Sequence, residues 1–340
     1  MRILVTGGAG FLGSHLVQAL LEGGHEVRAL VRHGSNVGGL KGADLIYGDL
    51  TEPDSLHRAM EGIEAVYHLA AIRDKWGTPY GAYYTVNVKG TQNLLDAAAG
   101  RVDKFIYCST AGVARYPGNL QADESLPYNT DGHGQYRYHH TKALAEKSAL
   151  EYARTGQVPA TVVRPTLIYG PGDTWGMMTR LVTMLARRRF ALIGDGWNHL
   201  HLVYVDDVIR AFLLAGESSR SVGQVYIVAG PSPISLNNLV AKVCALLGVR
   251  PPRWHIPVGV AKAAGWILEM AYAGKLSMGI RAFGDIPLVT RDKVDTLTVD
   301  RGYNIAKIQQ ELGYCPTVDY EEGLRLIVAW CRQQGHLQWG

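Results

Sequence analysis

Tyr138 and Lys142 stand four residues apart in Tyr138-His-His-Thr-Lys142, a spacing that puts both side chains on one face of a helix. An ammonium held near a phenol favours the phenolate and lowers its pKa. Tyr138 could then act as a general acid and base near neutral pH. Such a pair is common by chance, and its weight comes from what surrounds it. Cys108-Ser109-Thr110 closes an apolar run and offers a hydroxyl able to donate to a carbonyl oxygen. A glycine-rich segment, Thr6-Gly-Gly-Ala-Gly-Phe-Leu-Gly13, ends 125 residues before the tyrosine (138 minus 13). Tyr136 has the wrong spacing to Lys142 and reads as packing, while His139 and His140 point to other helix faces.

Gly7, Gly10 and Gly13 recur every three residues between an apolar run, Arg2 to Thr6, and a segment with helical periodicity, Phe11 to Glu22. In a strand–turn–helix the first glycine permits the tight turn and the second lets a pyrophosphate approach the backbone. The third allows helix and strand to pack closely. The helix start, with Phe11 and Leu12, then offers N–H groups and a positive dipole end to the phosphates. These residues are candidates for binding a dinucleotide. An acidic residue about 20 positions beyond the loop would hold the 2′-hydroxyl of NAD. Val27-Arg-Ala-Leu-Val-Arg32 has none. Arg32 can face a 2′-phosphate, which favours NADP(H) over NAD; the other reading is a surface arginine stacked on adenine. Asp49, in Gly48-Asp49-Leu50, could accept from the adenine amino group or simply cap a turn.

Positioning these residues requires alternating strands and helices. Strands are expected at Arg2 to Thr6, Glu26 to Val31, Ala43 to Tyr47, Ala65 to Leu69, Lys104 to Cys108, Ala160 to Arg164 and Gln224 to Val228. Helices are expected at Phe11 to Glu22, Pro53 to Met60, Tyr83 to Ala99, Tyr138 to Arg154, Met177 to Arg189, Asp206 to Ala215, Leu236 to Leu247 and Tyr320 to Gln333. Such alternation demands a parallel sheet with right-handed crossovers. The fold class is α/β: a doubly wound parallel Rossmann sheet over residues 1–165, rejoined by segments near 200–230, with a smaller substrate-binding lobe in 166–340. Ligands then bind at the carboxyl ends of the strands.

Composition narrows the class. The 340 residues carry 34 Lys+Arg against 30 Asp+Glu, with 47% hydrophobic and 19% charged residues. That excludes a disordered chain or a charged coiled coil. Arg187-Arg188-Arg189 is the one basic run, so no nucleic-acid partner is expected. The four cysteines, at 108, 244, 315 and 331, form no CxxC pair, so no metal site is expected. No signal peptide or membrane span is visible and a cytoplasmic location follows. Ile256 to Ile280 is oily but interrupted by Lys262, Glu269 and Lys275. It reads as a buried or substrate-covering helix, or as a peripheral membrane contact.

Together the segments resemble the extended short-chain dehydrogenase/reductases, the NAD(P)-dependent epimerase/dehydratase superfamily. The glycine loop, Gly48-Asp49-Leu50, His68-Leu69-Ala70-Ala71, Asn87-Val88-Lys89-Gly90-Thr91 and Tyr138 to Lys142 carry the resemblance. So do Arg164-Pro165, Tyr169-Gly170-Pro171-Gly172 and Val205-Asp206-Asp207. It implies that Leu50, Leu69, Ala70, Ala71 and Asn87 line the cofactor, that Lys142 bonds the nicotinamide ribose, and that Pro165 to Ile168 flank the nicotinamide. Thr110 falls at the family's catalytic Ser/Thr position, with Ser109, Leu167 and His201 on the substrate side. Relatives commonly form homodimers through a four-helix bundle, here Tyr83–Ala99 and Tyr138–Arg154. Members acting on nucleotide sugars usually carry Asn where this chain has Leu167, and often an Arg where it has Leu200. The resemblance is nearest to the 3β-hydroxysteroid dehydrogenase and dihydroflavonol reductase-like branch. A hydride-transferring NADP(H) oxidoreductase of hydrophobic alcohols and ketones (steroid-, flavonoid- or 3-oxoacid-like) is therefore expected. A nucleotide-sugar epimerase, dehydratase or reductase, and a non-catalytic NADP(H) sensor, remain as alternatives.

Overall fold

The computed structural model describes residues 1–73, 77–115, 118, 120–129, 137–174, 176–277 and 289–337; Tyr136 and the end of the oily segment, 278–280, lie outside them. Seven parallel strands form the central sheet. They are β1 (Arg2–Thr6), β2 (Glu26–Val31), β3 (Asp44–Tyr47), β4 (Ala65–His68), β5 (Lys104–Cys108), β6 (Ala160–Pro165) and, later in the chain, β11 (Val225–Val228). Their spatial order is β3-β2-β1-β4-β5-β6-β11. β1, β4 and β6 are near-continuous apolar runs that the structure buries almost throughout, as strands covered on both faces must be.

Helix α1 (Phe11–Glu22) follows β1, α2 (Pro53–Ala59) follows β3, α3 (Tyr80–Tyr83) and α4 (Gly90–Ala98) follow β4, and α5 (Arg137–Arg154) precedes β6. The expected Tyr83–Ala99 helix begins earlier, at Tyr80, and contains a π-helical turn over Tyr84–Lys89. That turn carries Asn87; such bulges recur at functional sites. After β6 come β7 (Leu167–Tyr169), α6 (Met177–Ala186), β8 (Leu192–Ile193), β9 (His199–Leu200), β10 (Leu202–Tyr204) and α7 (Val205–Glu217). β12 (Ile234–Ser235), α8 (Leu236–Leu247), β13 (His255–Ile256), α9 (Val258–Ser277), α10 (Arg291–Thr298), α11 (Ala306–Leu312) and α12 (Tyr320–Gln333) complete the chain. β7 pairs with β10, β9 with β12 and β8 with β13. These two- and three-residue strands were not expected, since they are too short to show a periodicity. A second apolar core joins α6, α8 and α12 through Leu181, Leu185, Leu239, Val243, Leu324 and Val328.

Two polar clusters hold the layers in register. Asp207 is buried in α7 and accepts from Thr317 N at 2.8 Å, Thr317 Oγ1 at 2.9 Å and Val318 N at 3.2 Å; it ties the segment before α12 to the sheet's flank. Glu146, fully buried on α5, meets Arg164 of β6, with Nη2–Oε1 at 2.5 Å and Nε–Oε1 at 3.0 Å. It also accepts from Ser109 Oγ at 2.5 Å and Tyr128 O–H at 2.9 Å. Removing one member of a buried ion pair leaves the other charge uncompensated, at about 3–5 kcal/mol. Glu146→Gln should therefore lower the urea-unfolding free energy by about that amount, and Glu146→Leu with Arg164→Met should recover most of it. A single variant within about 1 kcal/mol of wild type would contradict this role for the pair.

Candidate active site

The strand order reverses direction between β1 and β4, and a doubly wound sheet opens a ligand crevice at that point. The glycine loop lies there. Gly7 has φ +76°, and a Cβ on it would sit 2.7 Å from Ala70 N and 2.8 Å from Leu69 C. The backbones of the two loops thus approach as only glycine permits. A Cβ on Gly13 would lie 2.1 Å from Gly7 O, which is why α1 can start so close to β1. Gly10 is the N-cap of α1, and no side chain caps that end. The first N–H groups of α1, at Phe11 and Leu12, therefore face the crevice without a side-chain acceptor, as an anion site requires. This cradle fits a dinucleotide pyrophosphate.

A directed chain of hydrogen bonds fixes the crevice's far wall. Ala70 N–H donates to Thr6 Oγ1 at 3.2 Å, and Thr6 O–H faces His68 Nδ1 at 2.6 Å. His68 Nε2 faces Thr91 Oγ1 at 2.9 Å, and Thr91 O–H donates to Asn87 O at 2.7 Å. A carbonyl can only accept, so Thr91 donates to Asn87, His68 carries its proton on Nε2, and Thr6 donates to Nδ1. Asn87 is buried as well. Its Oδ1 accepts from Ile72 N at 2.8 Å, and its Nδ2 donates to Ile72 O and Thr141 Oγ1, each at 3.2 Å. Asn87 thus clamps the Leu69-Ala70-Ala71 loop to α5, and its side chain acts on the crevice through that loop.

Arg32 is exposed just past the end of β2. Beside it the His33 ring stacks on Tyr47, with centroids 4.6 Å apart and planes 7° from parallel. Asp49 Oδ1 accepts from Thr51 N at 2.9 Å and Thr51 Oγ1 at 2.7 Å; this is turn capping, and it occupies one carboxylate oxygen. Leu50 has its side chain in the core under Gly90, so only its backbone can line the crevice. Pro165 is buried at the end of β6, while Leu167 and Ile168 are half-buried just beyond it.

Thr110, Tyr138 and Lys142 come from the end of β5 and the start of α5. Thr110 caps the short turn Ala111–Val113 and accepts from Gly112 N at 3.3 Å, leaving its own proton for another acceptor. A Cβ on Gly112 would meet His139 Cε1 at 2.3 Å. The turn that carries Thr110 is thus pressed against the residue next to Tyr138. Lys142 is buried one helical turn further on, with Nζ 4.2 Å from the centre of the Tyr107 ring. Burial pulls its pKa down to about 8, against the upward pull of Cys108 and Glu146. Cys108 is pushed up to about 11 by burial and is no nucleophile at neutral pH.

Two residues expected on the substrate side are engaged within the protein. Ser109 is buried and its hydroxyl is committed to Glu146, because alternate residues after β5 face opposite ways and Thr110 takes the open side. His201 is buried, its Nε2 at 3.0 Å from Gly230 O and its Nδ1 accepting from Tyr303 N at 3.0 Å. Both ring nitrogens are used, so His201 is a strut of the lobe. The sequence reading gave His139 little weight and missed Arg301. His139 Nδ1 and Arg301 Nε are buried without a hydrogen-bond partner among the described residues. Arg301 is near enough to add to the effect of burial in lowering the imidazole pKa to about 4. No spacing rule could have paired residues 139 and 301; Glu146, by contrast, continues the Tyr138–Lys142 face at the next i+4 position.

The family model described as the NAD dependent epimerase/dehydratase family matches residues 3–229, more than half of the 340-residue chain, and the protein belongs to that family. It is an NAD(P)-dependent enzyme with the extended short-chain dehydrogenase/reductase fold. It is 35% identical over 338 residues to a 2-alkyl-3-oxoalkanoate reductase of Stenotrophomonas maltophilia, covering 97% of this chain and 99% of that protein. It is 32% identical to a 3 beta-hydroxysteroid dehydrogenase/Delta 5→4-isomerase of Mycobacterium tuberculosis, covering 95% and 88%. Among solved structures it is similar to gox2253 (30% identity, TM-score 0.81, 99% of each chain). It is also similar to UDP-glucuronic acid 4-epimerase from Bacillus cereus in complex with NAD (25% identity, TM-score 0.78, 98% and 99%).

Burial holds His68 at about 3 and His139 and His201 at about 4. All three lie below the unfolded value near 6.5, so below that pH the unfolded chain binds more protons and stability falls with pH. The urea-unfolding free energy should drop by about 4 kcal/mol between pH 7.5 and pH 5.5 from these imidazoles alone. An unchanged value would contradict the assigned neutral state.

Proposed function

We propose that the protein is an NADP(H)-dependent oxidoreductase that interconverts a secondary alcohol and a ketone on a hydrophobic substrate, with Tyr138 as acid/base. The contact of Gly112 with His139 carries this reading. It packs the turn that carries Thr110 on the first turn of α5, the turn that carries Tyr138, with Lys142 one turn further on. Gly7, Gly10, Phe11, Leu12 and Gly13 would hold the pyrophosphate, Leu69 to Ala71 the cofactor's backbone, Lys142 the nicotinamide ribose, and Pro165 with Ile168 the ring. When bound, the nicotinamide supplies or accepts the hydride. In reduction Tyr138 transfers its phenolic proton to the substrate oxygen. Thr110 donates a hydrogen bond to that oxygen and steadies its developing charge. The buried Lys142 ammonium supports the phenolate left on Tyr138, and its depressed pKa places its own titration close to the working range.

The absence of a carboxylate after β2, with exposed Arg32 in its place, supports NADP(H). Arg301 and neutral His139, neighbours with unpartnered buried nitrogens among the described residues, would suit one carboxylate or carbonyl. Leu200 is fully buried, so the segment after Gly196 offers no cation for a sugar-nucleotide diphosphate. This favours a 3-oxoacid-like ketone among the hydrophobic candidates, in line with the name of the 35% identical relative.

Tyr138→Phe should cut turnover about 10²–10⁴-fold while the NADPH dissociation constant stays within about twofold of wild type. Turnover at the wild-type level on steroid, aryl-ketone, 3-oxoacid and nucleotide-sugar panels would overturn the assignment. Wild type should bind NADPH more tightly than NADH, and Arg32→Ala should remove about tenfold of that preference, as loss of a charge-assisted phosphate contact does. A wild type that prefers NADH would refute the cofactor choice.

A further inference from the structure

Helix α9 is apolar around its whole circumference apart from Lys262, Glu269 and Lys275. A helix of that kind is normally buried on all sides. Here only one side is. Ala261 and Gly265 are buried against α10, and a Cβ on Gly265 would come within 3.1 Å of the backbone at Thr290 and Arg291. Lys262 and Glu269 turn to that same side. Lys262 Nζ meets Asp295 Oδ1 at 2.7 Å, and Glu269 binds Arg291 through Nη2 at 2.8 Å and the backbone N–H at 2.7 Å. The opposite face, Val260, Ala263, Ala264, Ile267, Met270 and Ala271, is exposed, with Trp266 at its margin. Ile267 is 59% and Met270 57% accessible. The polarity is the reverse of a solvated surface helix.

The rim of this face is basic. Trp254, just before β13, is 82% accessible, and its carbonyl accepts from Leu192 N at 3.2 Å. That bond places Arg253 and Trp254 beside the strand that leaves Arg187-Arg188-Arg189 at the end of α6. All three of those arginines, with Arg250 and Arg253, are exposed. No Asp or Glu occurs in 184–194 or 249–268. An exposed apolar helix face with tryptophans at its edge and arginines beside it has the make-up of an element lying in the headgroup zone of an anionic bilayer. A second copy docked two-fold on this face would bring five more arginines to the same rim and repel. No helix of the described residues is long and apolar enough to cross a membrane, so the contact is with one surface.

We propose that the outer face of α9, together with Trp254 and the arginines at 187–189, 250 and 253, docks the enzyme on an anionic lipid surface. Co-sedimentation of the full chain with phosphatidylcholine vesicles, with and without phosphatidylglycerol, tests this. Binding is expected to the anionic vesicles, with a blue shift of tryptophan emission and weakening at high salt. Ile267→Glu with Met270→Glu, and separately Arg187→Ala, Arg188→Ala and Arg189→Ala together, should each lower partitioning at least about tenfold. Unfolding midpoints and NADPH dissociation constants should stay at wild-type values. Trp254→Ser, at a nearly free side chain, provides a second apolar variant should the glutamates perturb folding, and should also weaken binding. The proposal is overturned if wild type ignores both vesicles, or if it binds neutral and anionic vesicles equally. It is also overturned if the glutamate variant instead abolishes a concentration-dependent dimer while vesicle binding is unchanged.

Discussion

The carboxylate of Glu146 is a full charge in the interior, and the protein is arranged to compensate it. A buried charge is tolerated only where partners surround it. Here those partners come from three separate segments: Ser109 after β5, Arg164 in β6 and Tyr128 from the connection between β5 and α5. Satisfying one side chain thereby fixes where α5 lies on the sheet. It also decides the side on which Thr110 emerges, because Ser109 is held inward. Tyr138 and Lys142, two and one helical turns before Glu146 on the same face, inherit their positions from it. The clamp of Asn87 on Thr141 and Ile72 does the same work from the other direction, joining the loop after β4 to the start of α5.

The crevice depends on a different constraint, the closeness of two backbones. Between β1 and β4 the chain approaches itself more tightly than a Cβ allows at Gly7 and Gly13. The hydrogen-bond chain through Thr6, His68 and Thr91 keeps that approach in register with α4. A neutral His68 is essential to it, since only the tautomer with Nε2 protonated lets every group in the chain donate or accept correctly. Burial supplies the neutrality. The loop residues at the crevice are therefore ordinary in chemistry but closely placed, and the side chains that place them, Thr6, His68, Asn87 and Thr91, are buried.

Much of this was legible in the sequence. Strands β1, β2 and β5 and helices α1, α8 and α12 run where the periodicity puts them, because long apolar patterns and flanking glycines are strong local signals. The glycine triplet and the Tyr138–Lys142 pair declare themselves for the same reason: each is a local spacing with one geometric solution. The lobe was harder. Its strands are two or three residues long, and its contacts, such as His201 with Gly230 and Tyr303 or His199 with Asp300, join positions far apart in the chain. The internal hydrogen bonds of His201 and Ser109 were not legible, because motif position says which residue stands at a strand end and not which way its side chain turns. Arg301 carried no signal at all, since its meaning comes from lying near His139.

The substrate side is built from residues withdrawn from solvent and then left partly unanswered. Both ring nitrogens of His201 are engaged, His199 pairs with Asp300 through Nδ1, and Leu200 between them is core. His139 and Arg301 retain buried atoms with no partner among the described residues, a condition that costs stability unless something else completes it. A substrate bearing an oxygen at that place removes the cost on binding, while an analogue lacking it leaves the deficit in place. Discrimination by a missing hydrogen bond is larger than discrimination by a missing methylene. On the proposed function, a mostly apolar substrate would be selected by one oxygen placed to meet His139 and Arg301.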